Sequence, residues 1–158
     1  MQLLAQNGSR NCPRSHRIMF VRLEKPYLAS FNKENSGSGT LNFLELPHEI
    51  NRVYFIKSAS IDAQRGFHAH RALRQIFFAP VGSFEIALST PYSSETFIIS
   101  SSEGMALIVP PGYWRVLSGF SEDSVCMVLA SDAYDPNDYI RDQLEYKLWF
   151  GKNITNES

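Results

Sequence analysis

The sequence predicts an all-β sandwich or barrel with one helix at its C-terminal end. Three observations carry this. From Gln75 onward, short segments of alternating apolar and polar residues are separated by turn residues at regular intervals, the pattern of a closed or two-layered antiparallel fold. β-Branched and aromatic residues dominate strand candidates such as Arg52-Val53-Tyr54-Phe55-Ile56-Lys57. Only the stretch after Asp135 has apolar residues at helical spacing.

Taken in order, residues 1–17 are polar and mixed and read as a loose arm. Ile18 to Leu23 is a candidate first strand. Asn32 to Thr40, rich in Ser, Gly and Asn, reads as a turn or loop. Leu41 to Glu45 alternates as a short strand, and Arg52 to Lys57 is the next. Arg65-Gly66-Phe67-His68-Ala69-His70 follows. On a strand, its two histidines share one face, and Gly66 permits a bulge or a close backbone approach. Further strands are expected at 75–81, 84–88, 96–99, 105–109, 113–117 and 124–130. The expected helix has Asp135 as N-cap, Pro136 in its first position, Ile140, Leu144 and Leu148 as its apolar stripe, and Gly151 at its end. The domain reading is an arm over 1–17, a single domain over 18–150 and a tail over 151–158.

Of 158 residues, 44% are hydrophobic and 13% aromatic, enough for a real core and too much for a disordered chain. The net charge of −1 gives no global attraction to nucleic acid or to a membrane surface. Two cysteines, Cys12 and Cys126, make no disulfide framework, and Cys126 in its apolar run reads as a buried thiol. No apolar run approaches the length of a membrane span, and the N-terminus has no long apolar segment of the signal-peptide kind. A cytoplasmic protein is the expectation.

Two motifs carry chemistry. His68-Ala69-His70 is followed by Gln75 and, after six residues, Gly82; Gly104 is followed after five residues by Pro110-Pro111-Gly112 and then Arg115. These spacings resemble the two motifs of the cupins, which implies a double-stranded β-helix, or jelly-roll barrel. In metal-binding cupins the two histidines, a Glu and a third His hold the metal. Here Gln75 and Arg115 stand at the latter positions. Gln is a weak neutral ligand, and Arg stays protonated and repels a cation. No metal and no other cofactor is expected. Two imidazoles with an arginine opposite them are equipment for moving a proton beside a carbonyl. Arg115 or Arg65 could stabilise an oxyanion or grip a phosphate. Each feature also has a plainer reading: Arg65 as a bulge cap, Gln75 as a satisfied core amide, Tyr113 and Trp114 as core aromatics, Tyr134 to Asp142 as a helix start packed on the barrel.

A narrower resemblance rests on Arg65 to His70, on Val128-Leu129-Ala130-Ser131, on Tyr134 to Asp142 and on Arg52 to Ile56. Together they are similar to the sugar 3,4-ketoisomerases, small cupins acting on dTDP-4-keto-6-deoxyhexoses. The resemblance implies a metal-independent isomerase of deoxysugar biosynthesis, forming a 3-keto sugar through an enediol. It implies His68 and His70 as the acid/base pair, with Tyr54 as the nearest candidate for a catalytic tyrosine and Arg65 helping to hold the substrate; Gln75, Arg115 and Tyr113, from their places in and beside the two motifs, are read as further substrate-binding residues. It further implies a homodimer with exchanged strands, for which residues 18–23 are the candidate. The rival is a non-catalytic module that binds a nucleotide sugar or carbohydrate; a third class, a metal-dependent oxygenase, is disfavoured by Gln75 and Arg115.

Overall fold

The computed structural model describes residues 21–57, 60 and 62–155; the arm over 1–17 and the first residues of the 18–23 strand lie outside them. The strands in chain order are β1 (Val21–Arg22), β2 (Tyr27–Ser30), β3 (Asn32–Ser36), β4 (Gly39–Phe43), β5 (Arg52–Lys57), β6 (Arg65–His70) and β7 (Gln75–Val81). They continue as β8 (Ser83–Ser89), β9 (Ser94–Ser100), β10 (Met105–Val109), β11 (Trp114–Ser118), β12 (Val125–Ala130) and β13 (Tyr139–Ile140). Helix α1 (Gln143–Asn153) and β14 (Ile154–Thr155) close the described chain.

Two five-stranded sheets, ordered β2-β10-β7-β12-β5 and β13-β6-β11-β8-β9, face each other. This is the expected jelly-roll barrel with a C-terminal helix. Strand alternation puts one side chain in two inside. Phe77, Leu107, Val109 and Val128 of the first sheet meet Phe84, Ile86, Leu88, Ile99 and Leu117 of the second, and all are buried. Cys126 lies in the same core as a free thiol. The outer face of the first sheet, at Ile76, Ala106 and Ile108, is covered by Phe31, Leu44, Leu46 and Ile50.

Three expectations need correction. The loop over 32–40 is a hairpin, β3 pairing with β4 around a turn at residues 37–38. All of β3 and most of β4 are exposed, so no buried face gives them the alternation that marks a strand. Next, Asp135 caps only a single 3₁₀ turn, Pro136–Asp138. The chain then extends as β13 against β6, and α1 begins after Asp142, whose side chain accepts from the Glu145 amide at 2.8 Å. Ile140 is therefore buried on a strand, whereas Leu144 and Leu148 are 66% and 57% exposed; Tyr146 and Phe150 form the inward face, against Ala69 and Trp114. Finally, α1 runs through Gly151 to Asn153: Gly151 is not among the glycines with positive φ, so it does not adopt the left-handed conformation of a helix-ending glycine, and Ile154 caps the helix instead.

The described part of the first strand, Val21–Arg22, pairs in parallel with β14 of the same chain.

Candidate active site

Strand β6 owes its aim to Gly66. The pairing of β6 with β11 runs Arg115↔His68 and Val116↔Gly66, so Phe67 is the extra residue of a bulge. Gly66 has φ +98°, and a Cβ there would lie 2.7 Å from the Arg115 carbonyl oxygen. Phe67 takes φ +51°, an uncommon conformation for a bulky residue. The strain sits beside the two histidines, and β-bulges serve to re-aim side chains at such places.

His68 and His70 project inward with their Nε2 atoms 3.2 Å apart. The Nδ1 of His68 lies 2.9 Å from the Gly66 carbonyl oxygen, and the Nδ1 of His70 lies 2.7 Å from Oδ2 of Asp138. Tyr139 packs against both rings. Burial, with Arg115 adding to it, pushes His68 down to about 3, and burial likewise pushes His70 down to about 4. Both imidazoles are thus neutral at pH 7 and available as bases, far from the ordinary value of ~6.5. Asp138 is held below the usual carboxylate range by its hydrogen bonds from His70 and the Ala72 amide, against the opposing effect of burial.

Across from the imidazoles, Arg115, Gln75 and Tyr54 form a chain. Buried Arg115 donates to Oε1 of Gln75 and, at 2.9 Å, to the Tyr113 carbonyl. A guanidinium only donates, so the Gln75 oxygen must face it. The Gln75 amide nitrogen then donates to the Tyr54 hydroxyl at 2.6 Å, which leaves the Tyr54 proton free to point elsewhere. Burial pushes Tyr54 up to about 12, so it is a phenol at neutral pH and a hydrogen-bond donor. The two motif substitutions thus build an oriented donor. This donor set does not suit a divalent metal, because a buried cation has taken the Gln75 oxygen. Among the described residues no group of three or more His, Cys, Asp and Glu side chains is placed to hold one.

These groups line a cavity of about 560 Å³, walled by Tyr54, Arg65, His68, Gln75 and Arg115. Five of the seven expected site residues therefore meet in one cavity, and His70 joins them through its contact with His68. Tyr113 does not. It belongs to the hydrophobic core and contributes its carbonyl to Arg115, since the strand after the Pro-Gly turn begins at Trp114 and places Tyr113 before it. Arg52, Tyr134, Tyr139 and Arg141 also line the cavity. Sequence reasoning gave none of these four a role, nor Asp138. For all of them but Arg52 the signal was the string Tyr134 to Asp142, which reads as a helix start but serves as a wall of the site.

The FdtA family model (WxcM-like, C-terminal) matches residues 24–150. A TDP-4-oxo-6-deoxy-alpha-D-glucose-3,4-oxoisomerase of Aneurinibacillus thermoaerophilus is 35% identical over 133 residues, 81% of this chain and 95% of that protein. The chain belongs to this family. Among solved structures, QdtA, a sugar 3,4-ketoisomerase from Thermoanaerobacterium thermosaccharolyticum in complex with TDP, matches with TM-score 0.76 and 32% identity over 80% of this chain and 95% of its own. A 3,4-ketoisomerase from Helicobacter canadensis matches with TM-score 0.75 and 33% identity over 80% of this chain and 97% of its own. Among the described residues no helix is long and apolar enough to cross a membrane.

Proposed function

We propose that the protein is a metal-independent 3,4-ketoisomerase that converts a dTDP-4-keto-6-deoxyhexose to its 3-keto isomer through an enediol, in deoxysugar biosynthesis for a cell-surface polysaccharide or glycan. The observation that carries this is the pair of neutral imidazoles, Nε2 to Nε2, facing a cavity that also presents the Tyr54 hydroxyl. A neutral imidazole removes the proton at sugar C3. The C3–H electron pair becomes the C3=C4 bond, and negative charge develops on the C4 oxygen. Tyr54, protonated and aimed by Gln75, donates to that oxygen. A hydroxyl proton passes from the C3 oxygen to the C4 oxygen, the imidazole pair returns a proton to C4, and the ketone stands at C3. Arg65, with Arg52 and Arg141 on the same cavity wall, supplies cations for the diphosphate. Tyr134, exposed on that wall, offers the nucleotide base the aromatic surface that Tyr113 does not. Remote binding energy of this kind holds the reacting carbons in place.

The deciding experiment gives EDTA-treated protein dTDP-4-keto-6-deoxyglucose and follows the sugar by NMR. The expected result is a 3-keto product at an undiminished rate. Binding without conversion and without exchange of the C3 hydrogen would mean a nucleotide-sugar binding module instead. Activity lost to EDTA and restored by a divalent metal would overturn metal independence.

The same reading carries a cytoplasmic location and a homodimer. β5 is an edge strand of its sheet, and it exposes Val53 and Phe55 at 59% and 62%; an open apolar edge of this kind is normally covered. Exchange of residues 18–23 between subunits would have to free Val21–Arg22 from β14. Light scattering at micromolar concentration is expected to give twice the chain mass of 17.9 kDa, and a monomer mass would refute the dimer.

A further inference from the structure

We propose that a cleft beside α1 and the turn Pro110-Pro111-Gly112 is a second ligand site, for a phosphate monoester carried on a ring: a mononucleotide or a sugar phosphate. The proposal stands whether or not the ketoisomerase reading does.

The cleft encloses about 300 Å³, and none of its described lining residues lines the cavity of the imidazoles. Its floor is apolar. Gly112 takes φ +90°, and a Cβ there would lie 3.1 Å from Leu23 Cδ1, 3.8 Å from Ile154 Cδ1 and 4.0 Å from Trp149 Cη2. Those three side chains thus close over bare glycine backbone. Pro110 and Pro111 form the adjoining wall. Proline has no N–H to leave unpaired, so this wall can face a ring without water. The half-buried Trp149 indole supplies an aromatic surface.

The rim is cationic. Arg22, Arg71 and Arg74 all line the cleft. The pairing Arg22↔Thr155 brings the first of them to the others from much earlier in the chain. The Arg71 guanidinium lies 5.8 Å from the centre of the Trp149 ring, so charge and aromatic surface are neighbours. Arg71 pairs with Glu145 and Arg74 with Glu24. Within this set three guanidiniums face two carboxylates, which leaves one positive charge over. In each pair the carboxylate is the more exposed partner, 51% against 33% and 63% against 16%. Exposed pairs contribute little, and the glutamates are free to turn to solvent when a stronger anion arrives. A guanidinium matches two phosphate oxygens at once, and a phosphate monoester offers three acceptor oxygens. Size selects the rest of the ligand. Ligand pockets run from ~300 to ~1,000 Å³, and this cleft is at the small end. It has room for one ring system and its phosphate, not for two rings joined by a diphosphate.

The test is an indole ¹H–¹⁵N spectrum. The chain has two tryptophans, so two signals are expected, and Trp149→Phe assigns them. Trp114 lines neither the cleft nor the cavity. dTMP and glucose 1-phosphate, each at millimolar concentration, are expected to move the Trp149 signal saturably, and inorganic phosphate is expected to bind several-fold more weakly. Tighter binding of dTMP would name a nucleotide as the ligand, and tighter binding of glucose 1-phosphate a sugar phosphate; either upholds the site. Arg22→Gln and Arg74→Gln are each expected to weaken both esters roughly tenfold, the worth of one charge-assisted hydrogen bond, with both indole signals in place to show that the variant is folded. Arg65→Gln, in the other cavity, should change nothing at Trp149. Three results would overturn the proposal. One is a Trp149 signal that none of the three compounds moves. Another is inorganic phosphate binding as tightly as both esters, which means an adventitious ion only. The third is binding lost in Arg65→Gln and kept in Arg22→Gln, which places the ligand in the cavity.

Discussion

Asparagine at position 68 or at position 70 is expected to cut turnover of a dTDP-4-keto-6-deoxyhexose by about 10²–10⁴-fold, the usual worth of a positioned acid/base group. Asn keeps a hydrogen-bonding side chain on the same inward face, so the barrel needs little adjustment. It lacks a nitrogen lone pair basic enough to take a proton from carbon. On the proposed reading the nucleotide is held by the arginines that line the cavity and not by the imidazoles, so the dissociation constant for dTDP should stay near that of wild type. Loss in kcat with retained binding is the pattern of an interaction made only in the transition state. Each single variant should cost nearly as much as the double, since residues that act as a catalytic unit are not additive. Near-normal rates in both single variants would make the histidines structural and remove the basis of the site.

Much of this site is legible in the residues themselves. An i, i+2 pair of histidines declares its common face once the segment is taken as a strand, and Gly66 signals the close approach that the Arg115 carbonyl makes. Gln75 and Arg115 are visible as departures from a metal-binding set, and the structure shows why they suit each other: the guanidinium orients the amide, and the amide orients the phenol. What cannot be read is anything that depends on contact between distant segments. Asp138 is sixty-eight residues from His70, and in sequence it is just an acidic residue near a helix start. The same Asp135-Pro136 signal that marks a helix N-terminus is satisfied by one 3₁₀ turn, because the pairing of β13 with β6 outweighs continued helix. Local propensity is a weak prior against a tertiary contact that buries Ile140. The pKa of the histidines was equally out of reach, since it comes from burial and from a cation forty-five residues or more along the chain.

That cation adds to the burial that holds both imidazoles low. In Arg115→Met most of the side-chain volume stays and the charge goes. Oε1 of Gln75 and the Tyr113 carbonyl lose their donor, and each unpaired buried acceptor costs about 1–3 kcal/mol. Release from burying a guanidinium, itself pushed down to about 10 by that burial, offsets part of this, so a net loss of about 1–3 kcal/mol is expected in urea unfolding. Both histidines rise, because one of the forces holding them down is gone. In wild type, kcat/KM should stay level as pH falls from 7 to 5, since the bases at about 3 and about 4 remain neutral. The variant should lose kcat/KM at a higher pH. Stability must follow the same sign. Between the unfolded value of ~6.5 and the folded values, the unfolded chain binds protons that the folded chain refuses, so wild type loses stability as pH falls through that window. With its histidines raised, Arg115→Met should lose less per pH unit there, although it starts lower. An unchanged acid limb and an unchanged slope of stability with pH would show that Arg115 does not act on the imidazoles.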